Sequence, residues 1–189
     1  MVDKVRLESL TNPRFVEPLR MFYSEDGVEK SWEMIKAHDS VAVLIYNRDR
    51  NAFVFVKQFR PAVFLRNRDG FTYELCAGIL DKDKSEELIA IEEIEEETGY
   101  KISCDRLKKI TAFYSSVGFA GSRQTLFFAE VRDLDRVSNG GGVDTENIEV
   151  VHIPREKIEA FILDESLVRT TGLAFAVSWF IERERSENV

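Results

Sequence analysis

The sequence predicts an α/β domain of the α+β type, in which a mixed β-sheet is sandwiched between helices and a small strand unit comes first. Strand-like segments stand on both sides of one strongly acidic helical segment, and two further helical segments close the chain. Val41–Tyr46 is a continuous apolar run, the pattern of a strand buried on both faces. The chain has 189 residues and is 44% hydrophobic and 32% charged, which suits one domain with a sizeable core. Residues 1–40 are expected to form an N-terminal strand unit able to make a dimer, and residues 41–189 the main domain.

The elements follow in order. Val28, Trp32 and Met34 alternate along one face behind the turn-forming Glu25-Asp26-Gly27, so residues 18–36 read as a strand pair. The polar turn Asn47–Asn51 separates the buried strand from Phe53–Val56. A short strand is expected through Tyr73-Glu74-Leu75-Cys76 to Gly78. Ser85 suits an N-cap and Gly99 a C-terminal stop, which places a helix between them with Leu88, Ile91 and Ile94 as its apolar stripe. Strands recur near 107–114, 124–131 and 148–153. Pro154 opens a short helix, and 167–184 reads as a longer one carrying Leu173, Phe175, Val177, Phe180 and Ile181.

Charge narrows the function. The net charge of −8 repels phosphate backbones and argues against a nucleic-acid-binding protein. No apolar run approaches the ~20 residues that span a bilayer, and Met1–Arg6 lacks an apolar signal core, so a cytoplasmic protein with no membrane partner is expected. Cys76 and Cys104 are too few for a disulfide scaffold and read as reduced, mostly buried thiols. His38 and His152 show no partner in sequence and read as core or surface residues.

Seven glutamates lie between Glu86 and Glu97 with no Lys or Arg among them, and they carry all but one unit of the net charge of −8. Glu92, Glu93, Glu95, Glu96 and Glu97 occupy the helix's C-terminal half, where the macrodipole disfavours anions. Like charges also fall at helical-neighbour spacing, 93/96 and 93/97 among them. At 100° per residue, Glu86, Glu93 and Glu97 stack within about 40° of one another, with Glu96 flanking them. A hard divalent cation, Mg²⁺ or Mn²⁺, would convert that repulsion into coordination. A merely solvated acidic face fits the charge pattern as well.

Spacing adds to this. Gly78, Glu93, Ile94, Glu96, Glu97, Gly99 and Tyr100 resemble the Nudix box, Gly-x5-Glu-x7-Arg-Glu-aliphatic-x-Glu-Glu-x-Gly-aliphatic. Two positions depart from it: Lys84 stands for the first glutamate and Glu92 for the arginine. Further stretches resemble the UDP-sugar diphosphatase branch of the Nudix hydrolases, which is close to the ADP-ribose pyrophosphatases. They include Lys30–Glu33, His38–Val41, Val56–Val63, Glu74–Gly78, Ser116–Gly118, Gly121–Thr125, Gly140–Gly142, Glu149–His152 and Val177–Phe180.

The resemblance implies metal-dependent hydrolysis of a nucleoside diphosphate sugar, UDP-glucose foremost, to UMP and glucose 1-phosphate, by a homodimer. Glu93 and Glu97 would be the principal metal ligands, Glu96 a further ligand or catalytic group, and the Ala77 carbonyl would complete one site. The Gly140–Gly142 loop would bring Glu146 as a ligand and Asp144 as the base, its glycines permitting movement over substrate. Arg60 would grip phosphate, Glu74 would hold Arg60 or contact substrate, and Trp32 would stack on the base or lie in the core. ADP-ribose pyrophosphatase activity is the nearest alternative. A nucleotide-sugar binding module impaired in turnover is the other, and Lys84 and Glu92 are the residues that favour it.

Overall fold

The computed structural model describes residues 5–13, 16–143 and 145–187. Two strands, β1 (Glu17–Glu25) and β2 (Val28–Lys36), pair antiparallel as an isolated hairpin, as the alternation predicts. The turn holds Asp26 and Gly27 at positive φ, 52° and 78°.

The main sheet contains β3 (Ser40–Asn47), β4 (Ala52–Phe59), β5 (Phe71–Glu74), β6 (Cys76–Ile79), β7 (Leu107–Ser115), β8 (Ser122–Val131) and β9 (Ile148–Pro154). It is mixed: β3 runs parallel to β8, and the other pairings are antiparallel. β3 and β4 begin as a hairpin joined at 45–47 and 52–54, then diverge. Into the fork go β5, paired to β4, and β6, paired to β3. The single strand expected from Tyr73 to Gly78 is therefore broken at Leu75, because its two halves serve different neighbours. This fork carries Glu74 and Ala77 to the place where the acidic helix ends.

Period-two alternation divides the core. Leu44, Phe53, Phe55, Leu126 and Phe128 meet the helices α3 (Ile158–Leu163) and α4 (Thr171–Glu187) on one face. Val43, Ile45, Val54, Phe127 and Ala129 meet the acidic helix α2 (Glu86–Glu93) on the other. The sheet is thus sandwiched as predicted. A further short helix, α1 (Pro61–Asn67), starts at the proline after Arg60 and buries no residue, so no apolar stripe announces it in the sequence. α4 starts at Thr171 rather than 167, and Leu173, Ala176, Val177, Phe180 and Ile181 are its buried residues. Phe175 is instead 40% exposed and packs edge-on against Phe113. Cys76 is buried, whereas Cys104 is exposed, against expectation. No helix among the described residues is long and apolar enough to cross a membrane.

Candidate active site

The acidic helix is built as its ends predict. The Ser85 hydroxyl accepts the Leu88 N–H at 3.3 Å, and Gly99 closes the helix at φ 76°. Its last turn, Ile94–Thr98, is π-helical, the wider turn often found at functional sites. The apolar stripe is displaced from expectation. Ile89, Ala90 and Ile94 are buried, and Leu88 is 47% exposed. Burying Ile89 and Ile94 contributes roughly 1.5–3 kcal/mol each. That exceeds the ~0.2–0.5 kcal/mol of a like-charged pair such as Glu93 and Glu97, so the helix tolerates its own repulsion.

The glutamates divide by partner. Glu86 does not join Glu93 and Glu97, because Arg123 and Lys109 bond its carboxylate at 2.7 and 3.0 Å. Glu95 pairs with Lys101. Glu92 accepts Lys84 at 2.5 Å, with Lys82 at 3.8 Å, so the two departures from the box form an ion pair of reversed polarity. Among the described residues, no Lys or Arg forms an ion pair with Glu93, Glu96 or Glu97, although the Lys82 charge acts on Glu93.

Glu97 is buried and accepts the Ala77 N–H at 3.0 Å. Burial pushes its carboxyl up to about 8, opposed by the Ala77 bond and by a bond from the Cys76 thiol. Burial also holds that thiol well above its ordinary value, so Cys76 stays a donor. Sequence reading missed this part for Cys76; its only signal was a place one residue before Ala77. Glu93 is pushed to about 7 by burial first and by the Glu96 charge second. Gly78 is required here, since a Cβ on it would lie 2.3 Å from a Glu93 carboxylate oxygen.

The glycine loop docks on the helix. The Gly141 and Gly142 N–H groups cap the Glu97 and Glu96 carbonyls at 2.9 and 3.0 Å. Gly140 has φ 66°, and a Cβ there would lie 2.4 Å from the Glu97 carbonyl oxygen. Gly140 and Gly142 thus serve close approach, and Gly141 supplies a positive φ of 110°. The docking brings Glu146 near enough that its charge raises both Glu93 and Glu97. The Glu146 carboxylate accepts the Val143 N–H at 3.0 Å. Asp144 lies outside the described residues.

Arg60, at the end of β4, grips Glu74 through two bonds of 2.8 and 2.7 Å, and Thr72 adds a 2.5 Å bond to the same carboxylate. Glu74 is buried, and Arg60 is held above its ordinary value by that bond first, with Glu97 and Glu146 also contributing. The structure so assembles Arg60, Glu74, Ala77, Glu93, Glu96, Glu97 and Glu146. Trp32 stands apart: it is 55% exposed, which removes the core alternative, and its indole N–H donates to the Gly118 carbonyl at 2.7 Å. His38 is exposed, and His152 is half-buried beside the Tyr100 hydroxyl at 3.1 Å.

Among the described residues, no three His, Cys, Asp or Glu side chains already stand at metal-holding spacing. Their donor chemistry nevertheless fits a divalent cation. Carboxylates that repel one another, Glu97 buried and Glu93 half-buried with carboxyls held at about 8 and 7, are what a hard cation relieves.

The fold and these carboxylates suit a hydrolase of pyrophosphates, and the comparisons with known proteins show relatives named for that activity. No family model matches the chain. Two curated relatives named uridine diphosphate glucose pyrophosphatase NUDT14 match nearly end to end. The protein of Bos taurus is 40% identical over 88% of this chain and 88% of its own length. That of Mus musculus is 36% identical over 96% and 95%. A GDP-mannose pyrophosphatase of Cronobacter sakazakii (strain ATCC BAA-894) is 41% identical over 69% of this chain and 68% of its own. The chain belongs to the Nudix hydrolase family, in its nucleotide-sugar pyrophosphatase branch.

Proposed function

We propose that this protein hydrolyses the pyrophosphate bond of a nucleoside diphosphate sugar, UDP-glucose first, to UMP and glucose 1-phosphate. The observation that carries this reading is the meeting of half-buried Glu93 and buried Glu97 with Ala77, Arg60 and Glu146, in a chain similar over most of its length to two UDP-glucose pyrophosphatases. Glu93, Glu97, Glu146 and the Ala77 carbonyl would hold the metal, Mg²⁺ before Mn²⁺, with Glu96 as a further ligand. When bound, it supplies positive charge that neutralises the pyrophosphate and acidifies water.

The remaining work falls to the chain. Arg60, oriented by Glu74, aims guanidinium N–H groups at phosphate oxygens. A carboxylate takes the proton of the attacking water as its oxygen bonds to phosphorus and the bridging P–O bond breaks. Asp144 is the proposed base, with Glu96 next. Trp32 is proposed to stack on the base from the hairpin of a second copy, in a homodimer working in the cytoplasm. The hairpin supports that assembly. A lone two-stranded ribbon is marginal in water, yet this one leaves Leu19, Met21, Phe22 and Trp32 exposed. Its substrate specificity has one rival with support, GDP-mannose, from the relatives of that name.

The test is turnover of UDP-glucose, GDP-mannose and ADP-ribose with Mg²⁺, followed by phosphorus NMR. UMP release that a chelator abolishes is the expected result. Metal-independent nucleotide-sugar binding without hydrolysis of any of the three would establish the binding module instead.

A further inference from the structure

A groove at the far end of the sheet takes no part in the chemistry above. Its cavity of about 520 Å³ is lined by five cations, Arg48, Arg106, Lys108, Arg132 and Arg183, against two carboxylates. Both carboxylates are committed. Glu130 holds Arg48 through bonds of 2.7 and 2.9 Å, and Asp135 holds Arg106 at 2.8 and 2.7 Å. Arg183 bonds Glu187 at 2.7 Å. Among the described residues, no carboxylate lies at ion-pair distance from Lys108 or the Arg132 guanidinium; Asp135, bonded to Arg106, acts on that guanidinium only through its charge. In a chain of net charge −8, this is a local excess of the opposite sign.

The excess is also concentrated. The Lys108 ammonium and the Arg183 guanidinium share the Trp179 ring, each 5.8 Å from its centroid, and Arg183 also covers Phe128 at 5.4 Å. Cations gathered in this way repel one another, and a multivalent anion entering between them removes that cost. The groove is separate from the carboxylate cluster. Ala42 of β3 pairs with Ala77, beside Glu97, whereas Asn47 pairs with Val131, which lines the groove. Five residues of strand separate the two, roughly 16 Å. Phe128 also faces α4, not α2.

We propose that this groove is a second binding site, for a small phosphate monoester. The volume is that of a small-molecule pocket. A dianion with three terminal oxygens matches two unpaired cations with several N–H donors, and Phe128 and Leu134 offer apolar surface to the rest of the molecule.

The experiment is NMR titration of the whole protein with inorganic phosphate and with UMP, in EDTA at low salt. The chain has two tryptophans, so the indole signals report position. The Trp179 indole should shift saturably while that of Trp32 does not. The change Lys108→Glu with Arg132→Glu should weaken binding at least about tenfold, and Glu97→Gln should leave it unchanged. Lys108 and Arg132 are both exposed, so the fold should persist, and the milder pair Lys108→Met with Arg132→Gln gives the same comparison. The proposal fails if neither probe shifts Trp179, if binding survives the loss of both charges, or if it disappears in Glu97→Gln.

Discussion

Burial holds the carboxyl of Glu97 at about 8 and that of Glu93 at about 7, so the folded metal-free protein retains protons there that the unfolded chain releases near 4.5. The stability tied to those protons is complete below about pH 4.5 and is lost as pH rises through 7 and 8. Glu97→Gln keeps the shape and cannot ionise. In EDTA its Tm should equal or exceed that of the parent, and the gap should widen from about pH 5 to about pH 8.5. Calorimetry at both pH values checks this; a constant gap would mean that Glu97 does not titrate in that window. Turnover at limiting Mg²⁺ should fall by about 100-fold or more, since an amide cannot replace an anionic ligand. Lys84 and Glu92 make a second prediction. Their pairing at 2.5 Å ties the loop before α2 to the helix beside Glu93. Glu92→Arg alone would set two cations face to face and should raise the Mg²⁺ requirement. Adding Lys84→Glu should bring it below that of the parent, because an arginine would then support the glutamates. A double-mutant cycle on Mg²⁺ affinity measures the coupling, and a value of zero would show that the two residues do not communicate.

At the scale of elements, the loop from Gly140 to Glu146 and the end of α2 behave as one unit, because the loop's N–H groups satisfy the helix's last carbonyls. Gly140→Ala would force a side chain into a positive φ of 66° and against the Glu97 carbonyl at 2.4 Å. It should destabilise the protein by at least about 1–2 kcal/mol and lower kcat, by displacing the end of the helix that carries Glu97. Denaturant unfolding beside steady-state kinetics separates the two effects. Farther along the loop, Glu146→Gln should weaken metal-dependent turnover, and Asp144→Asn should lower kcat more than it changes KM. Parental kinetics in both variants would take the loop out of the chemistry and leave Glu96 as the candidate base.

For the whole molecule, assembly turns on the hairpin of β1 and β2. It meets the body through the Trp32 indole bond to Gly118 and the Ile35 N–H bond to Phe119 at 2.7 Å. Phe22, 77% exposed, touches too little of its own chain to be needed for folding. Phe22→Asp should therefore convert a dimer to a monomer while leaving Tm nearly unchanged at high dilution. Light scattering after size exclusion measures the mass. If the dimer supplies Trp32 to its partner's site, KM should rise together with dissociation. A monomeric parent would end the proposal.

Local features were legible in the sequence because the residues that decide them are neighbours in it. Ser85 and Gly99 bounded the acidic helix, the apolar runs at 41–46 and 53–56 marked β3 and β4, and the resemblance to the Nudix box singled out Glu93, Glu96 and Glu97. Other features depended on partners far along the chain. Glu86 has the same place in the helical period as Glu93, yet Lys109 and Arg123 reach it only because β7 and β8 pair beside α2. The fork of β3 and β4 decided that Glu74 would meet Arg60 and that Ala77 would meet Glu97. The sequence by itself determined which side chains carry the negative charge. Tertiary structure decided which of those charges are neutralised and which are buried facing one another, since burial and ion pairing depend on chain segments that only strand pairing brings together.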